Sequence, residues 1–339
     1  MSSSPTASPI VSVVLSVRNG GSDLPKAVAT ILEQTLLDFE LIAINNGSTD
    51  GTREFLDQIT DPRVRVYHQE DAGLAAALNR GISLARGRYI ARQDHDDWAL
   101  PTRIEKQVKF LDAHPDHGLV GTCAEIWIGD QATGRFHDHP AEDTELRFGL
   151  LFNNPFVHSS VMMRKFALDQ VGSYTTDRTR QPPEDYELWS RIARRFSVAN
   201  LPERLTIYRE VPTSMSRDGV DPFKEKLALI SAENLAASAT GETNPQRVHF
   251  DVAYLVHGMP ERMSPGADID AMCTVIATAG AAIFGDRNLA GDDNPVAVWS
   301  RNLRYHFNIH RLGLAGARKV AGRLRRGLRR LNPARLWDF

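Results

Sequence analysis

Three closely spaced carboxylates, Asp94, Asp96 and Asp97, follow an apolar, strand-like run at residues 87–91. In an open α/β sheet, ligands bind at the carboxyl ends of the strands, so we expect these side chains at a ligand-binding edge. Carboxylate oxygens suit Mg²⁺ or Mn²⁺, which proteins hold through one or two carboxylates plus substrate phosphates. The cluster therefore predicts a metal that carries a phosphorylated ligand. A solvated acidic turn that caps the helix beginning near Pro101 is the alternative.

Strands and helices that can position this cluster alternate along the first hundred residues. The run 10–17 is β-branched and almost entirely apolar, as expected of a strand buried on both faces. Further strands are predicted at 39–44, 64–67 and 87–91, and helices at 24–34, 52–59 and 74–85. Alternation with short connections predicts an α/β protein with a parallel, doubly wound sheet. Three polar loops, 18–23, 45–51 and 93–98, then fall at the carboxyl ends of strands.

After residue 100 the sequence pattern predicts both helices and strands at first, and then helices alone. We predict a helix at 101–114, a strand pair at 118–128, a polar irregular stretch at 130–155, a helix at 184–196 and a strand at 201–208. From about Asp221 the strand signals stop. The predicted organisation is a disordered N-terminus (1–9), an α/β domain (10–220), a helical extension (221–310) and a basic amphipathic tail (311–339).

Composition excludes several classes of protein. The 40 basic and 42 acidic residues give a net charge of −2, so no overall positive field points to nucleic acid. Cys123 and Cys273 have no metal-type spacing, which fits a reducing compartment. Residues 1–9 lack the basic start and apolar core of a signal peptide, and the longest apolar runs are too short to span a bilayer. We expect a cytoplasmic protein whose membrane contact, if any, is peripheral.

Several segments carry motifs whose order along the chain is specific. They include Val11–Asn19, Ile31–Thr35, Asn46–Thr52, Gly73–Ile82, Asp94–Asp97, His158–Arg164 and Glu184–Trp189. In type and order these segments resemble the family 2 glycosyltransferases, which are inverting enzymes of the GT-A fold. The resemblance covers roughly residues 8–216 and does not cover the last third. It implies an α/β fold of the GT-A type, with a Rossmann-like, doubly wound mixed sheet and helices on both faces, followed here by a helical extension. It also implies a transferase activity.

The resemblance implies transfer of a sugar from a nucleotide-diphosphate sugar to a hydroxyl group of a glycan or lipid-linked acceptor. The residues implied in donor binding are Ser16, Arg18, Asn19, Asn46, Ser48, Asp50, Asn79, Asp94 and Asp96. Departure of the diphosphate builds negative charge, which a divalent cation neutralises as a Lewis acid. By resemblance, Asp96 is the main ligand of Mg²⁺ or Mn²⁺, and Asp94 contacts the ribose or the metal through water. Asp97 either assists or caps the next helix. Asp50 is expected to be the N-cap of the helix after its turn.

Inversion by a single displacement needs a base that takes the proton of the acceptor hydroxyl. By resemblance this role falls on Asp185, with Glu184 as the second candidate. An acidic first turn facing the helix dipole is the structural alternative for this pair. On the acceptor side the resemblance points to His158 and Trp189. Their structural alternatives are a hydrogen-bonded His and a core Trp at helical spacing.

Two positions depart from the family pattern. Many relatives carry Asp at the position of Asn46, where the carboxylate accepts from the nucleotide base, whereas an Asn amide both accepts and donates. Uracil, thymine and guanine therefore stay open, and a plain turn with Gly47 is the alternative. Many relatives also carry a His shortly after the pair Tyr208-Arg209, where this chain has Glu210–Thr213. A third protein ligand for the metal is not evident.

The C-terminal tail has a basic amphipathic pattern. Across 313–336, leucines and alanines recur at three- and four-residue spacing, and the seven Lys or Arg residues between 318 and 330 occupy other positions. Such a helix lies on an anionic membrane surface, here the inner face of the cell membrane, or docks on the protein with a solvated basic face. Both alternatives are open.

Two other functions compete with the transferase hypothesis. A sugar-phosphate nucleotidyltransferase has a related sheet but usually opens with a Gly-rich loop containing a basic residue, which Arg18–Gly21 only faintly resembles. A catalytically silent module that binds sugar nucleotides is the second, and the acidic pair at 184–185 argues against it. A Gln-x-x-Arg-Trp-type motif, typical of processive polymerases, is replaced by Arg194-Arg195-Phe196, which favours single-sugar addition in polysaccharide or glycoconjugate assembly.

Overall fold

The computed structural model describes residues 8–210, 223–285, 289, 291 and 294–324, with side chains described as far as Leu312. The described residues form two compact units. The first contains residues 8–143, 156–176 and 191–210. The second contains residues 144–155, 177–190 and the described residues from 223 onward. All strands of the described chain belong to the first unit.

The first unit is built on one mixed sheet. Its strands are β1 (Val11–Val17), β2 (Phe39–Asn46), β3 (Val64–Gln69), β4 (Tyr89–Asp94), β5 (Trp98–Ala99), β6 (His117–Ile128), β7 (Gln131–His137), β8 (Met162–Arg164) and β9 (Ser197–Arg209). Their order is β3-β2-β1-β4-β8-β6-β9-β5, and β7 pairs with β6. The four strands at one side, β3-β2-β1-β4, are all parallel, as in a Rossmann-like half. The predicted mixed α/β sheet is confirmed.

Helices cover both faces of the parallel half. Those that begin in the first unit are α1 (Leu24–Leu32), α2 (Thr52–Asp57), α3 (Leu74–Leu84), α4 (Arg103–Ala113), α5 (Asp143–Gly149) and α6 (Lys165–Val171). Alternate residues of a strand point to opposite faces. The odd-numbered residues of β1 accordingly belong to a core that includes Leu24, Val28 and Ile104 of α1 and α4. On the opposite face α3 approaches so closely that a Cβ on Gly81 would lie 2.4 Å from Val14 Cγ1.

The second unit is helical. It contains the start of α7 (Glu184–Ala193), and then α8 (Lys224–Thr240), α9 (Arg247–Val256), α10 (Ile269–Phe284) and α11 (Pro295–Leu324). Its core joins Phe148 and Phe152 to residues of these helices, with Leu235, Val252 and Ile276 among those fully buried. A predicted helical region after residue 221 is confirmed. The predicted domain boundaries at 220 and 310 remain predictions.

Two local predictions were wrong. The stretch 118–128 is one long strand, β6, and its Gly121 makes a close approach rather than a turn, because a Cβ there would lie 2.2 Å from Asn200 Oδ1. The stretch 130–155 contains β7 and α5. β7 is largely exposed, so it lacks the apolar alternation by which a strand is recognised in a sequence.

No helix in the described part of the chain is both long and apolar enough to cross a membrane. The backbone of α11 continues to Leu324. The side chains of the predicted amphipathic tail, 313–336, lie outside the described residues.

Candidate active site

The acidic turn stands at the carboxyl end of β4. Asp94 is the last residue of that strand and is half-buried, and the guanidinium of the buried Arg92 donates a hydrogen bond to its carboxylate. Burial opposes ionisation of Asp94, but the positive charges of Arg92, His158 and His95 outweigh it and lower the pKa of this carboxyl. Asp94 is therefore held as an anion at the sheet edge, where an open α/β sheet binds ligands.

The pKa of Asp96 is shifted in the opposite direction from that of Asp94. Burial, and then the negative charge of Asp94, raise the pKa of the half-buried Asp96 above its ordinary value. Two carboxyl groups that resist joint ionisation form a site where an added cation is favourable. Among the described residues, no group of three or more His, Cys, Asp or Glu is arranged to hold a metal ion. A cation here would therefore take protein ligands from this pair and its other ligands from elsewhere.

Asp97 serves a different purpose from its neighbours. Its carboxylate is 2% exposed and accepts hydrogen bonds from Ser159 Oγ and from the backbone N–H of Arg209, the latter at 2.7 Å. Burial and the charges of Asp94 and Asp96 raise its pKa well above the ordinary value. The N-cap residue of α4 is Thr102, so the interpretation of Asp97 as a helix cap was wrong. Asp97 ties the acidic turn to the end of β9.

Replacing Asp97 with Ala is expected to destabilise the protein by about 2–6 kcal/mol, because two buried donors lose their acceptor and each such loss costs about 1–3 kcal/mol. Asp97→Asn retains one acceptor and should cost less. The measurement is the thermal unfolding midpoint of both variants. Asp130→Ala is the control, since its side chain is 80% exposed and its ion pair with Lys26 at 3.7 Å should contribute little. Equal midpoints for Asp97→Ala and wild type would contradict this role.

The loops after β1 and β2 are joined by hydrogen bonds. Asn19 N–H donates to Ser48 Oγ at 2.9 Å, and Thr49 N–H donates to Asn19 Oδ1 at 2.8 Å. Asp50 accepts from the backbone N–H of Gly21 at 3.1 Å and of Thr52 at 3.0 Å. Asp50 therefore satisfies the start of α2, although Gly51 is the N-cap residue. The structure brings these predicted donor-side residues together as one bonded double loop.

The strand register aligns this double loop with the acidic turn. Ser16 of β1 pairs with Asp94 of β4, Val17 pairs with Asn45 of β2, and Asn46 pairs with Gln69 of β3. The four parallel strands therefore end at nearly the same level. Predicted donor-side residues on β1, β2 and β4 share this edge.

The side chain of Asn46 forms hydrogen bonds with three other residues of the protein. Its side-chain oxygen accepts from Gln69 Nε2 at 2.7 Å and from the backbone N–H of Ala72 at 3.0 Å, and its amide donates to Asp71 Oδ1 at 3.1 Å. Gly47 follows with φ +73°, and a Cβ there would lie 2.6 Å from the backbone nitrogen of Asp71. The Asn-Gly turn therefore allows the two loops to approach closely, and Asn46 bonds across the gap.

Asn79 and His158 are connected through Tyr174. The Asn79 side chain donates to the backbone oxygen of Tyr174 at 2.8 Å and accepts from its N–H at 2.9 Å. The Tyr174 hydroxyl lies 2.9 Å from His158 Nε2. His158 also lowers the pKa of Asp94 through its charge. Asn79 thus fixes a segment that orients a histidine near the acidic turn.

The acidic pair of the second unit divides into two environments. Glu184 is 5% exposed, whereas Asp185 is half-buried. Asp185 Oδ2 accepts from Asn154 Nδ2 at 2.8 Å, and Oδ1 accepts from the backbone N–H of Tyr186 at 2.7 Å. These two bonds fix the orientation of the Asp185 carboxylate. The Trp189 side chain is completely buried, which favours its interpretation as a core residue.

Three residues that contact predicted site residues had not been identified in the sequence. Arg92 lies within a strand pattern, and Asp71 and Asn154 lie in polar stretches where nothing periodic marks them. Arg92 did carry one signal, since a charged residue two positions before Asp94 shares its face of the strand. Asp71 and Asn154 contact residues that are 25 and 31 positions away in the sequence.

Comparison with sequence families identifies the first half of the chain. A family model described as glycosyl transferase family 2 matches residues 12–172. The putative glycosyltransferase EpsE of Bacillus subtilis is 33% identical over 67% of this chain and 79% of its own length. The amylovoran biosynthesis glycosyltransferase AmsE of Erwinia amylovora is 31% identical over 68% of this chain and 87% of its own. An uncharacterized glycosyltransferase of Haemophilus influenzae is 32% identical, and the match covers 59% of this chain and 65% of that protein.

Comparison with solved structures identifies the fold. The crystal structure of S. aureus TarS 1-349 in complex with UDP-GlcNAc matches with a TM-score of 0.60, covering 89% of this chain and 92% of that one at 14% identity. At this identity the match bears on the fold alone. It includes the C-terminal helical region, and the predicted GT-A fold is confirmed. From its relatives, the chain belongs to glycosyl transferase family 2, a family of transferase enzymes, as the sequence predicted.

Proposed function

We propose that this protein transfers a sugar from a nucleotide-diphosphate sugar to a hydroxyl group of an acceptor, with inversion at the anomeric carbon. The observation that carries the proposal is the common edge at which the bonded double loop and the acidic turn end. Ser16 and Asp94 are register partners there, and Asn46 lies on the next strand. Such an edge is where open α/β sheets bind nucleotides.

The donor set suits a divalent cation. Asp94 and Asp96 offer hard carboxylate oxygens, and the raised pKa of Asp96, caused by burial and by Asp94, marks an excess of negative charge. We assign Asp96 as the main ligand of Mg²⁺ or Mn²⁺ and Asp94 as a contact to the ribose or to the metal through water. When bound, the cation would stabilise negative charge on the leaving diphosphate. Arg92 holds the Asp94 carboxylate in place for this role.

The residue proposed to receive the acceptor proton is Asp185. A general base needs a carboxylate that can be reached and is held in one orientation. Asp185 is the more exposed member of the acidic pair, and Asn154 and the Tyr186 N–H each hold one of its oxygens. Glu184, at 5% exposure, is the second candidate.

The proposed biological setting is polysaccharide or glycoconjugate synthesis. AmsE is named for amylovoran biosynthesis, and the WbnJ protein of Escherichia coli, 31% identical over 59% of this chain, is named for O-antigen biosynthesis. These names support a role in glycan assembly, and the acceptor that we propose is a glycan or a lipid-linked molecule. Location in the cytoplasm and membrane contact through 313–336 remain predictions from the sequence.

A thermal-shift panel of nucleoside diphosphates and their sugars, each with Mn²⁺ or Mg²⁺, tests the proposed donor class. A ligand at a hundred times its Kd should stabilise the protein by about 2.7 kcal/mol, which raises the melting temperature by a few degrees. We expect at least one nucleoside diphosphate to do so with metal present, and a smaller shift in EDTA. If none of them shifts the melting temperature, the proposed function is wrong.

A further inference from the structure

Helix α8 lies beyond the residues matched by the family model, yet it bonds to the segments that carry the proposed base. The family match ends at residue 172. α8 belongs to the same compact unit as residues 144–155 and 177–190, which include Asn154 and Asp185. The contacts between α8 and these two segments therefore lie within one unit.

The carbonyl oxygen of Leu150 is the point where α7 and α8 both bond to the first segment. It accepts from Asn234 Nδ2 of α8 at 2.6 Å and from the Tyr186 hydroxyl of α7 at 2.8 Å. These two bonds use both lone pairs of the oxygen. Asn234 is 4% exposed and Tyr186 is fully buried, so water does not compete for these bonds. Leu150 is therefore fixed from two helices.

The turn that contains Leu150 leads directly to Asn154. The carbonyl oxygen of Gly149 accepts from the N–H groups of Phe152 and Asn153, each at 3.0 Å, which closes the turn. Asn154 follows, and its Nδ2 donates to Asp185 Oδ2 at 2.8 Å. Fixing Leu150 therefore fixes one of the two donors that hold the Asp185 carboxylate.

The second donor, the backbone N–H of Tyr186, is also held from α8. The one hydrogen of the Tyr186 hydroxyl goes to Leu150, so Ser231 Oγ of α8, at 3.1 Å, donates to the hydroxyl oxygen. His257 Nε2 lies 2.8 Å from Ser231 Oγ and donates to it in turn. The side chain of Tyr186 is thereby anchored to α8.

Asn234 also supports the backbone of Tyr186. Its Nδ2 donates a second bond, to Ser190 Oγ at 2.9 Å, and Ser190 Oγ donates to the carbonyl oxygen of Tyr186 at 2.7 Å. Asn234 is thus linked to both donors of the Asp185 carboxylate, through Leu150 on one side and through Tyr186 on the other.

The loop that enters α7 is bonded to α8 as well. Glu233 accepts from both terminal nitrogens of Arg180, at 2.9 and 2.6 Å, and Lys226 Nζ donates to the carbonyl oxygen of Gln181 at 2.6 Å. A bidentate pair of this kind fixes orientation as well as distance. α8 therefore holds the start of α7 from both the loop and the helix.

We infer that Asn234 is a positioning residue for the proposed base Asp185, and that it acts through Leu150 and Tyr186. This inference rests on the proposed function and deepens it, because it gives α8 a part in the transfer step. The proton of the acceptor hydroxyl still goes to Asp185, and Asn234 neither gives nor takes a proton. Since a base must point at the hydroxyl that it deprotonates, loss of its orientation lowers the rate rather than donor affinity.

Asn234→Leu tests the inference, because it removes both N–H donors at similar volume. We expect kcat to fall by about 10–100-fold, as a misplaced reacting group can cost that factor. The donor Kd should stay within about twofold of wild type, since a loss confined to the transition state leaves ground-state binding intact. The residues proposed for donor binding all belong to the first unit.

Asn294→Leu is the matched control. It makes the same change in the same unit, where the Asn294 amide bonds to the carbonyl oxygens of Leu289 and Gly291 at 3.1 and 2.5 Å. Its kcat should stay within about twofold of wild type, because substitutions that share no partners act independently. Equal losses of kcat in the two variants would indicate general destabilisation and would overturn the inference.

A double-mutant cycle separates positioning of the base from structural support. In the Asp185→Asn background no base remains to be oriented, so adding Asn234→Leu should change the residual rate by less than about threefold. The same fold-loss in both backgrounds would contradict positioning through Asp185. If Asp185→Asn itself keeps the wild-type kcat, the base assignment fails and the inference with it. A slow Asp185→Asn beside a fully active Asn234→Leu overturns the inference alone.

Tyr186→Phe provides the test if Asn234→Leu does not fold. It removes one hydroxyl from the same network. We expect kcat to fall by about two- to tenfold at unchanged donor Kd, because one intramolecular hydrogen bond contributes roughly that factor. A folded Tyr186→Phe with the wild-type kcat would overturn the inference.

Discussion

Asp185→Asn is expected to lower kcat by about 10²–10⁴-fold while leaving the Kd of the donor within about twofold of wild type. The expectation follows because general-base catalysis contributes a factor of that size and an Asn amide cannot take up the proton. The substitution is nearly isosteric, and the remaining amide oxygen can still accept from one of the two donors, Asn154 Nδ2 or the Tyr186 N–H. The measurements are release of nucleoside diphosphate from the donor with an acceptor present, and calorimetry of the donor alone.

Two companion variants make this result specific. Glu184→Gln tests the second candidate, and Glu242→Gln alters an exposed acid of the same unit and should leave kcat unchanged. A large loss of kcat in Glu184→Gln with near-normal Asp185→Asn would transfer the base role to Glu184. Weaker donor binding in Asp185→Asn with unchanged kcat would contradict a role in proton transfer.

Asp96→Asn should abolish the metal-dependent part of donor binding. Loss of a residue that merely supports a metal ligand costs about 10–100-fold in metal affinity, so loss of the main ligand should cost at least about a hundredfold. The same variant should be no less stable than wild type without metal. Burial and the charge of Asp94 raise the pKa of Asp96, so a neutral amide relieves an unfavourable charge.

Loss of metal-dependent donor binding together with unreduced metal-free stability would distinguish a metal ligand from a structural residue. Donor Kd is measured with saturating Mn²⁺ and with EDTA, and the melting temperature is measured without metal. Asp130→Asn, an exposed acid of the same unit, serves as the control. A variant that melts lower than wild type and loses donor binding equally with and without metal would indicate a structural role for Asp96.

The raised pKa of Asp96 determines how stability and metal affinity change with pH. A carboxyl whose pKa is raised in the folded state favours folding when protonated, so the contribution of Asp96 to stability improves as pH falls toward its raised pKa. Metal binding requires the ionised form and is expected to weaken over the same range. Metal-free stability and metal affinity should therefore change in opposite directions in mildly acidic solution.

Local patterns in the sequence were enough to predict the parallel half of the sheet. A fully apolar β1 followed by a helical stripe and short polar loops leaves few alternatives to a doubly wound arrangement, and all four parallel strands were found where expected. The same patterns predicted that residues after β1, β2 and β4 would share an edge. That expectation holds because parallel strands end at the same side of a sheet.

Long-range contacts were the part that the sequence could not supply. The bond between Asn46 and Asp71 depends on the close approach of two loops at Gly47, and the bond between Asn154 and Asp185 depends on a stretch without periodicity. The role of Asp97 was missed for a related reason. Its partners Ser159 and Arg209 lie 62 and 112 positions away, whereas a cap would be local.

The most direct test of the central claim is electron paramagnetic resonance of Mn²⁺ bound with UDP or the donor found in the thermal-shift panel. The account predicts about one bound Mn²⁺ per chain with hyperfine coupling to diphosphate phosphorus, and loss of this bound species in Asp96→Asn. Nucleotide binding that is indifferent to EDTA, or bound Mn²⁺ without phosphorus coupling, would contradict a cation held by the acidic turn that carries the leaving group.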